Sequence, residues 1–167
     1  ELDVRSTRHN LLATLNRRPE PYHETVRRAA GQAHHHDDGH VASIHDAVRF
    51  KQPDLDKKIV YDNWPRKSLV DHFLQPGLNV DGFQKAEGEI GDFVQGVYET
   101  RLQRSDDRVQ VVMSRAGQAG PHRIRLSKTV ALDTRAGGTL EVQYDLEGLP
   151  PGVPVPFGVE FNFAGMA

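Results

Sequence analysis

From about Asp92 onward, one side of the chain repeats at every second position. A period of two places side chains on one face of a strand, so the back half of the chain is committed to β-structure. Val94, Tyr98, Thr100 and Leu102 share one side of a first run, and Val109, Val111 and Met113 one side of the next. Ile124, Leu126, Val130 and Leu132 follow, with Lys128 interrupting the row. Leu140, Val142, Tyr144 and Leu146 make a fourth run, and Val155, Phe157, Val159, Phe161 and Phe163 a fifth. Turn-forming stretches separate them: Ser105-Asp106-Asp107, Gly117 to Pro121, Ala136-Gly137-Gly138 and Gly148 to Pro156. Short connections predict an antiparallel meander, and one apolar face per strand predicts a layer of a β-sandwich.

The front half carries different signals. Ser6 or Thr7 can cap a helix bearing Leu11, Leu12 and Leu15, and Pro19 and Pro21 break it. Pro21 suits the first turn of a second helix through Val26 and Ala30, with Gly31 as its stop. Residues 5–31 are therefore expected to be helical, within a single β-sandwich domain spanning 1–167. Ala42 to Phe50, Ile59 to Tyr61 and Ser68 to Leu74 fit helix or strand equally, while Trp64-Pro65 marks a bend and Gln75-Pro76-Gly77 a turn. Leu2 and Val4 alternate with Glu1 and Asp3, and Val159 to Ala164 is also strand-like. Strands at both ends would leave sheet edges open, so a piece of a larger polypeptide is expected.

Composition narrows the function. The 167 residues carry 21 Lys and Arg against 23 Asp and Glu, a formal net charge of -2. A dedicated nucleic-acid or anionic-membrane binder would show a basic excess, so neither partner is expected. Aromatics make up 7% of the chain, too few for a platform that stacks single-stranded bases. No apolar run approaches the roughly 20 residues that span a bilayer. The absence of cysteine excludes disulfides, thiolate metal sites and thiol nucleophiles, and fits a cytoplasmic protein.

Candidate chemistry is sparse. His34-His35-His36-Asp37-Asp38-Gly39-His40 gathers metal-binding side chains, and a site there would use His34, His36, Asp38 and His40. Adjacent side chains diverge, so a solvated loop is the preferred reading. In Ser43-Ile44-His45-Asp46 the neighbouring His and Asp cannot orient each other as a triad does, and a structural histidine is expected. Tyr61-Asp62-Asn63-Trp64-Pro65-Arg66 combines aromatic faces with planar polar groups, which suits either a sugar surface or the anchoring of a long connection. Glu160 and Asn162 share a strand face opposite Val159, Phe161 and Phe163. They can line a groove, meet solvent or bond a neighbouring segment. The candidate carbohydrate contacts are thus Tyr61, Trp64, Arg66, Glu160 and Asn162. The Gly-x-x-Gly between Gly88 and Gly96 precedes a strand, not a helix, and does not make a phosphate loop.

Several blocks stand in a fixed order: Glu1-Leu2-Asp3, Asn10-Leu11-Leu12-Ala13-Thr14-Leu15, Arg17-Arg18-Pro19-Glu20-Pro21-Tyr22-His23, and Ser43-Ile44-His45-Asp46. Val60-Tyr61-Asp62, Arg66 to Leu74, Ile90-Gly91-Asp92-Phe93 and Val159-Glu160-Phe161-Asn162 complete the series. This order resembles the region after the catalytic barrel in glycoside hydrolase family 57 α-amylases and 4-α-glucanotransferases. The resemblance implies a C-terminal β-sandwich of the galactose-mutarotase supersandwich type, here incomplete and preceded by a short helical segment. It also implies that the nucleophilic Glu and the acid Asp lie on a separate N-terminal barrel. Retaining chemistry needs those two carboxylates about 5–5.5 Å apart. Neither barrel motif occurs in this sequence, so no catalytic residue carries over and no cofactor is implied.

The resemblance therefore implies a non-catalytic domain of an α-glucan-active enzyme, with its own N-terminal barrel as partner and an α-glucan oligosaccharide as a further contact. Two alternatives stand beside it. One is a mutarotase-like enzyme using His72 or His122 with Glu160 for proton exchange at an anomeric carbon. The other is an oligomerisation or interaction module that pairs through a sheet edge.

Overall fold

A computed structural model of the chain describes residues 3–4, 8–10, 12, 16–33, 56–133 and 139–164. The chain divides into two compact units, residues 14–66 and residues 1–13 with 67–167.

In the smaller unit, helix α1 spans Pro21–Ala33. Pro21 opens it, where the missing N–H costs nothing. His23 Nδ1 reaches back to the backbone N–H of Glu20 at 3.2 Å, the service that Glu or Gln gives in a capping box. A single 3-10 turn follows at Asp56–Lys58. The segment after it is tied down by Asp62, whose side chain is 4% exposed. Asp62 accepts the Arg17 backbone N–H at 2.7 Å, Arg17 Nη2 at 2.6 Å and Arg66 Nε at 3.1 Å. Burial pushes this carboxyl up, but the hydrogen bonds from Arg17 and Arg66 outweigh it and hold the pKa at about 2.

The first predicted helix does not form at the described positions. His9–Asn10 is a short strand, β2, paired antiparallel with β1, Asp3–Val4. Asn10 Oδ1 accepts the N–H of Leu12 at 3.2 Å, a local bond that competes with helical hydrogen bonding.

The larger unit is mainly β, as the periodicity predicts. Strands β4 (Glu99–Arg104), β5 (Arg108–Ala119), β6 (His122–Asp133) and β7 (Thr139–Glu147) form a four-stranded antiparallel meander in chain order. Gly120, at φ +57°, takes the first central position of the tight β5–β6 turn, where a side chain would be strained. Strands β3 (Val70–Phe73) and β8 (Phe157–Glu160) form a second antiparallel sheet, in which His72 stands opposite Gly158 and Val70 opposite Glu160. Helix α2, Val80–Gln84, lies between β3 and β4 in sequence and is capped by Asn79, which accepts the Gly82 N–H at 2.8 Å.

The two sheets meet face to face. Phe73, Phe93, Ala119, Ile124 and Leu126 are buried together, with Tyr144, Leu146, Val155 and Phe157 packed against them. The Phe73 ring lies 4.8 Å from that of Phe93 and 5.2 Å from that of Phe157. Gly117 makes room for this cluster, since a Cβ there would come within 2.7 Å of the Phe93 ring.

The fifth apolar row departs from its expected arrangement. Regular strand ends at Glu160, and the chain beyond it turns Asn162 inward while Phe161 and Phe163 are 46% and 66% exposed. The polar side chains win the interior because they find partners there.

Candidate functional site

Four polar or charged residues among the described residues of the larger unit are buried: Asp71, His72, Lys128 and Asn162. Burying such groups is costly unless each is paired. Strand β3 sets the arrangement. Successive side chains alternate, so Asp71 and Phe73 face the four-stranded sheet while His72 faces the other way.

On the inner side, Lys128 Nζ donates to Asp71 Oδ2 at 2.7 Å and to the carbonyl of Leu69 at 2.6 Å. Leu69 adopts φ +63°, an unfavourable value for a branched side chain, and this bond helps to hold it. Tyr98 donates its hydroxyl to the same Asp71 oxygen at 2.5 Å, and Lys128 Nζ lies 4.7 Å above the Tyr98 ring. Asp71 Oδ1 and the Tyr144 hydroxyl are buried with no hydrogen-bond partner. Burial first, and then the neighbouring Asp71 carboxylate, push both tyrosine hydroxyls far above the usual range, so neither ionises. The break at Lys128 in the third apolar row is thus the visible half of a buried ion pair.

On the outer side, His72 is 1% exposed. Its Nδ1 stands 2.7 Å from Glu89 Oε2 and its Nε2 3.1 Å from Glu160 Oε2. Glu89 Oε1 accepts the backbone N–H groups of Phe73 and Gly91, at 3.1 and 3.0 Å. Asn162 Nδ2 donates to Glu160 Oε1 at 2.6 Å and to the carbonyl of Lys67 at 2.7 Å. The Phe83 ring of α2 closes over the imidazole, edge to face at 5.1 Å. Burial lowers the His72 pKa, but the hydrogen bonds and charges of Glu89 and then Glu160 outweigh it and raise it above 6.5. An imidazolium has two N–H donors, which is what two flanking carboxylates require.

The candidate residues are distributed as follows. Tyr61 places its hydroxyl 3.2 Å from His23 Nδ1, and Arg27 lies 5.3 Å over its ring. Arg66 is held by Asp62 and by Asn16, whose Oδ1 accepts its backbone N–H at 2.6 Å. Trp64 is half-buried. These bonds tie the segment to Asn16, Arg17 and His23. A cleft of about 380 Å³ lies beside it, lined by residues that include Arg18, Glu20, Tyr22 and Lys58. Glu160 and Asn162 bond a neighbouring segment, one of the three roles open to them. Of the proposed His–Glu pairings, His72 does meet Glu160, while His122 opens β6 opposite Ala119. The possible metal ligands His34, His36, Asp38 and His40 lie outside the described residues, as do Ser43 to Asp46. Nothing in the sequence marks Glu89, an isolated Glu, as a partner for a His 17 positions away.

The buried His72, Lys128 and Asn162 thus pair with neighbouring carboxylates and backbone carbonyls. A family model described as "Alpha-amylase/4-alpha-glucanotransferase, C-terminal" matches residues 1–167. A 4-alpha-glucanotransferase of Thermococcus kodakarensis is 30% identical over 168 residues, covering 98% of this chain and 23% of that protein. An alpha-amylase of Pyrococcus abyssi is 27% identical over 170 residues, with 98% and 24% covered. Another from Pyrococcus furiosus is 31% identical over 156 residues, with 93% and 21% covered. No solved structure gives a significant match. The chain belongs to the alpha-amylase/4-alpha-glucanotransferase C-terminal domain family. It spans about a quarter of the length of the curated relatives it matches.

Proposed function

We propose that this chain is the non-catalytic C-terminal module of an α-glucan-acting enzyme of the glycoside hydrolase family 57 type. Its catalytic carboxylates stand on an N-terminal barrel against which the module packs. The observation that carries this reading is the match of residues 1–167 to a C-terminal domain family in relatives about four times as long. Internal pairing supports it, since both His72 nitrogens, Glu160 and Asn162 already have protein partners. An α-glucan meets the module through the Tyr61–Arg66 segment, where Arg66 keeps 40% of its side chain exposed. The cysteine-free chain suits the cytoplasm, and no helix among the described residues is long and apolar enough to cross a membrane.

The test compares the isolated chain with the full-length polypeptide on maltoheptaose. The full-length protein is expected to shorten or redistribute the oligosaccharide, and the chain alone to leave it unchanged. Shortening by the chain alone would overturn the reading. Titrating the chain with maltooligosaccharides is expected to change Trp64 fluorescence at about millimolar concentration, given the few anchors available. An unchanged signal removes the sugar contact and leaves the packing role.

The 3.1 Å approach of His72 to Glu160 favours a second reading, proton exchange at an anomeric carbon. Against it stands an imidazole 1% exposed, with its other nitrogen on Glu89. A sugar ring has no way to either atom. The chain is expected to leave anomers equilibrating at the uncatalysed rate, and a measured acceleration would revive that reading.

A further inference from the structure

The cleft of the smaller unit carries charge that the fold does not use. Arg17 and Arg18 adjoin in sequence but part in role. Arg17 is spent on Asp62, with Nε at 2.9 Å and Nη2 at 2.6 Å from Oδ1. Asp62 returns a backbone bond, its N–H donating to the Arg17 carbonyl at 3.0 Å. This clamp fixes the chain around Arg17 to the chain around Asp62, and Tyr61 ties the second of these to α1 through His23. The three segments border the cleft of about 380 Å³, a volume at the small end of the range for sites that take small molecules.

Arg18 and Lys58 line this cleft from different segments, and both are exposed. Among the described residues neither has a carboxylate partner. Glu20 is the one carboxylate among the described lining residues. Tyr22 adds a ring that is 58% exposed and set edge to face on His23 at 4.2 Å. Two uncommitted cations, one carboxylate and one open aromatic face therefore share a single concave surface.

We propose that this cleft binds a phosphorylated monosaccharide. A phosphate monoester carries close to two negative charges at pH 7, so it uses both Arg18 and Lys58. The Arg18 guanidinium offers paired N–H donors to its oxygens, and Lys58 adds a point charge. The Tyr22 ring covers the apolar face of the sugar, and Glu20 accepts from a hydroxyl. Inorganic phosphate would leave Tyr22 and Glu20 unused, and a neutral sugar would leave both cations unused. The site stands whether or not an α-glucan meets the Tyr61–Arg66 segment.

Calorimetric titration of the chain with glucose 6-phosphate provides the test. Binding is expected at about millimolar concentration in low salt. Glucose is expected to give no signal, and inorganic phosphate and glucuronate to bind several-fold more weakly. Arg18→Gln and Lys58→Gln should each weaken glucose 6-phosphate by about tenfold. Both side chains are exposed, so these variants should keep the circular dichroism of the parent chain. Tyr22→Ala should weaken glucose 6-phosphate and leave inorganic phosphate unchanged. Arg28→Gln, on α1 but paired with Glu24, should alter neither. No binding at about 10 mM glucose 6-phosphate overturns the proposal. Equal binding of inorganic phosphate overturns it too, since that would mean an adventitious ion only. So does equal binding of glucose or of glucuronate, or parental affinity in both Arg18→Gln and Lys58→Gln.

Discussion

Exchange of Lys128 for alanine is expected to bring this fold close to collapse. The Asp71 side chain is 1% exposed, and its Oδ2 is neutralised by an ammonium group 2.7 Å away. Removing that group leaves a carboxylate in an apolar layer, with Tyr98 as its remaining donor. Breaking a buried pair from one side costs about 3–5 kcal/mol. A domain of this size has roughly 5–15 kcal/mol in total. Urea titration followed by circular dichroism should show a large fall in the unfolding midpoint. Removing both charges is a different experiment, because the desolvation cost disappears along with the attraction. Lys128→Met combined with Asp71→Leu and Tyr98→Phe is expected to recover most of the loss. If Lys128→Ala costs less than about 1 kcal/mol, water reaches the pair and the buried-staple account of β3 is wrong.

His72→Ala is the second large effect, and its dependence on pH identifies its cause. The substitution leaves Glu89 and Glu160, 17% and 12% exposed, without the cation between them. The expected loss near pH 6 is about 3 kcal/mol. The folded-state pKa of His72 is raised above 6.5, because its two carboxylates outweigh the opposing effect of burial. A raised histidine pKa means that folding takes up a proton. The stabilisation is therefore complete below pH 6.5 and is lost as pH rises through the folded value. The gap between the unfolding midpoints of parent chain and variant should narrow on the alkaline side. A gap that stays constant from pH 5 to 9, or widens with pH, would show that the ring serves as packing alone.

The strands of the meander were legible because their pairing is local. Each run needs only its neighbour, and the alternation persists through residues 108–147 with turn residues at the breaks. Lys128 was legible as an irregularity but not as a partner of Asp71, since the two are 57 positions apart. The β3–β8 pairing was not legible either. Val70–Phe73 is four residues long, too short to show a period, and its alignment with Phe157–Glu160 depends on everything between them. At Phe161 and Phe163 the apolar period outlasts the strand, which ends at Glu160. Once the ladder stops at Glu160, the bonds available to Asn162 decide which side chains turn inward. At His9 and Asn10 strand replaces the expected helix, and Asn10 supplies a local bond to the backbone of Leu12; Leu11 and Leu15 lie outside the described residues.

The pairing of β3 with β8 also sets the order in which the chain can be assembled. The hairpins from Glu99 to Glu147 can close one after another as the polypeptide leaves the ribosome, since each contact spans a short loop. Phe73 must wait for Phe157, which emerges 84 residues later. During that interval a large aromatic ring and the ion pair beneath it lack their cover, and a loop of that length must close before they gain it. Strand β8 therefore acts as the clasp of this core, and a nascent chain stalled before Phe157 would present that core to chaperones and proteases.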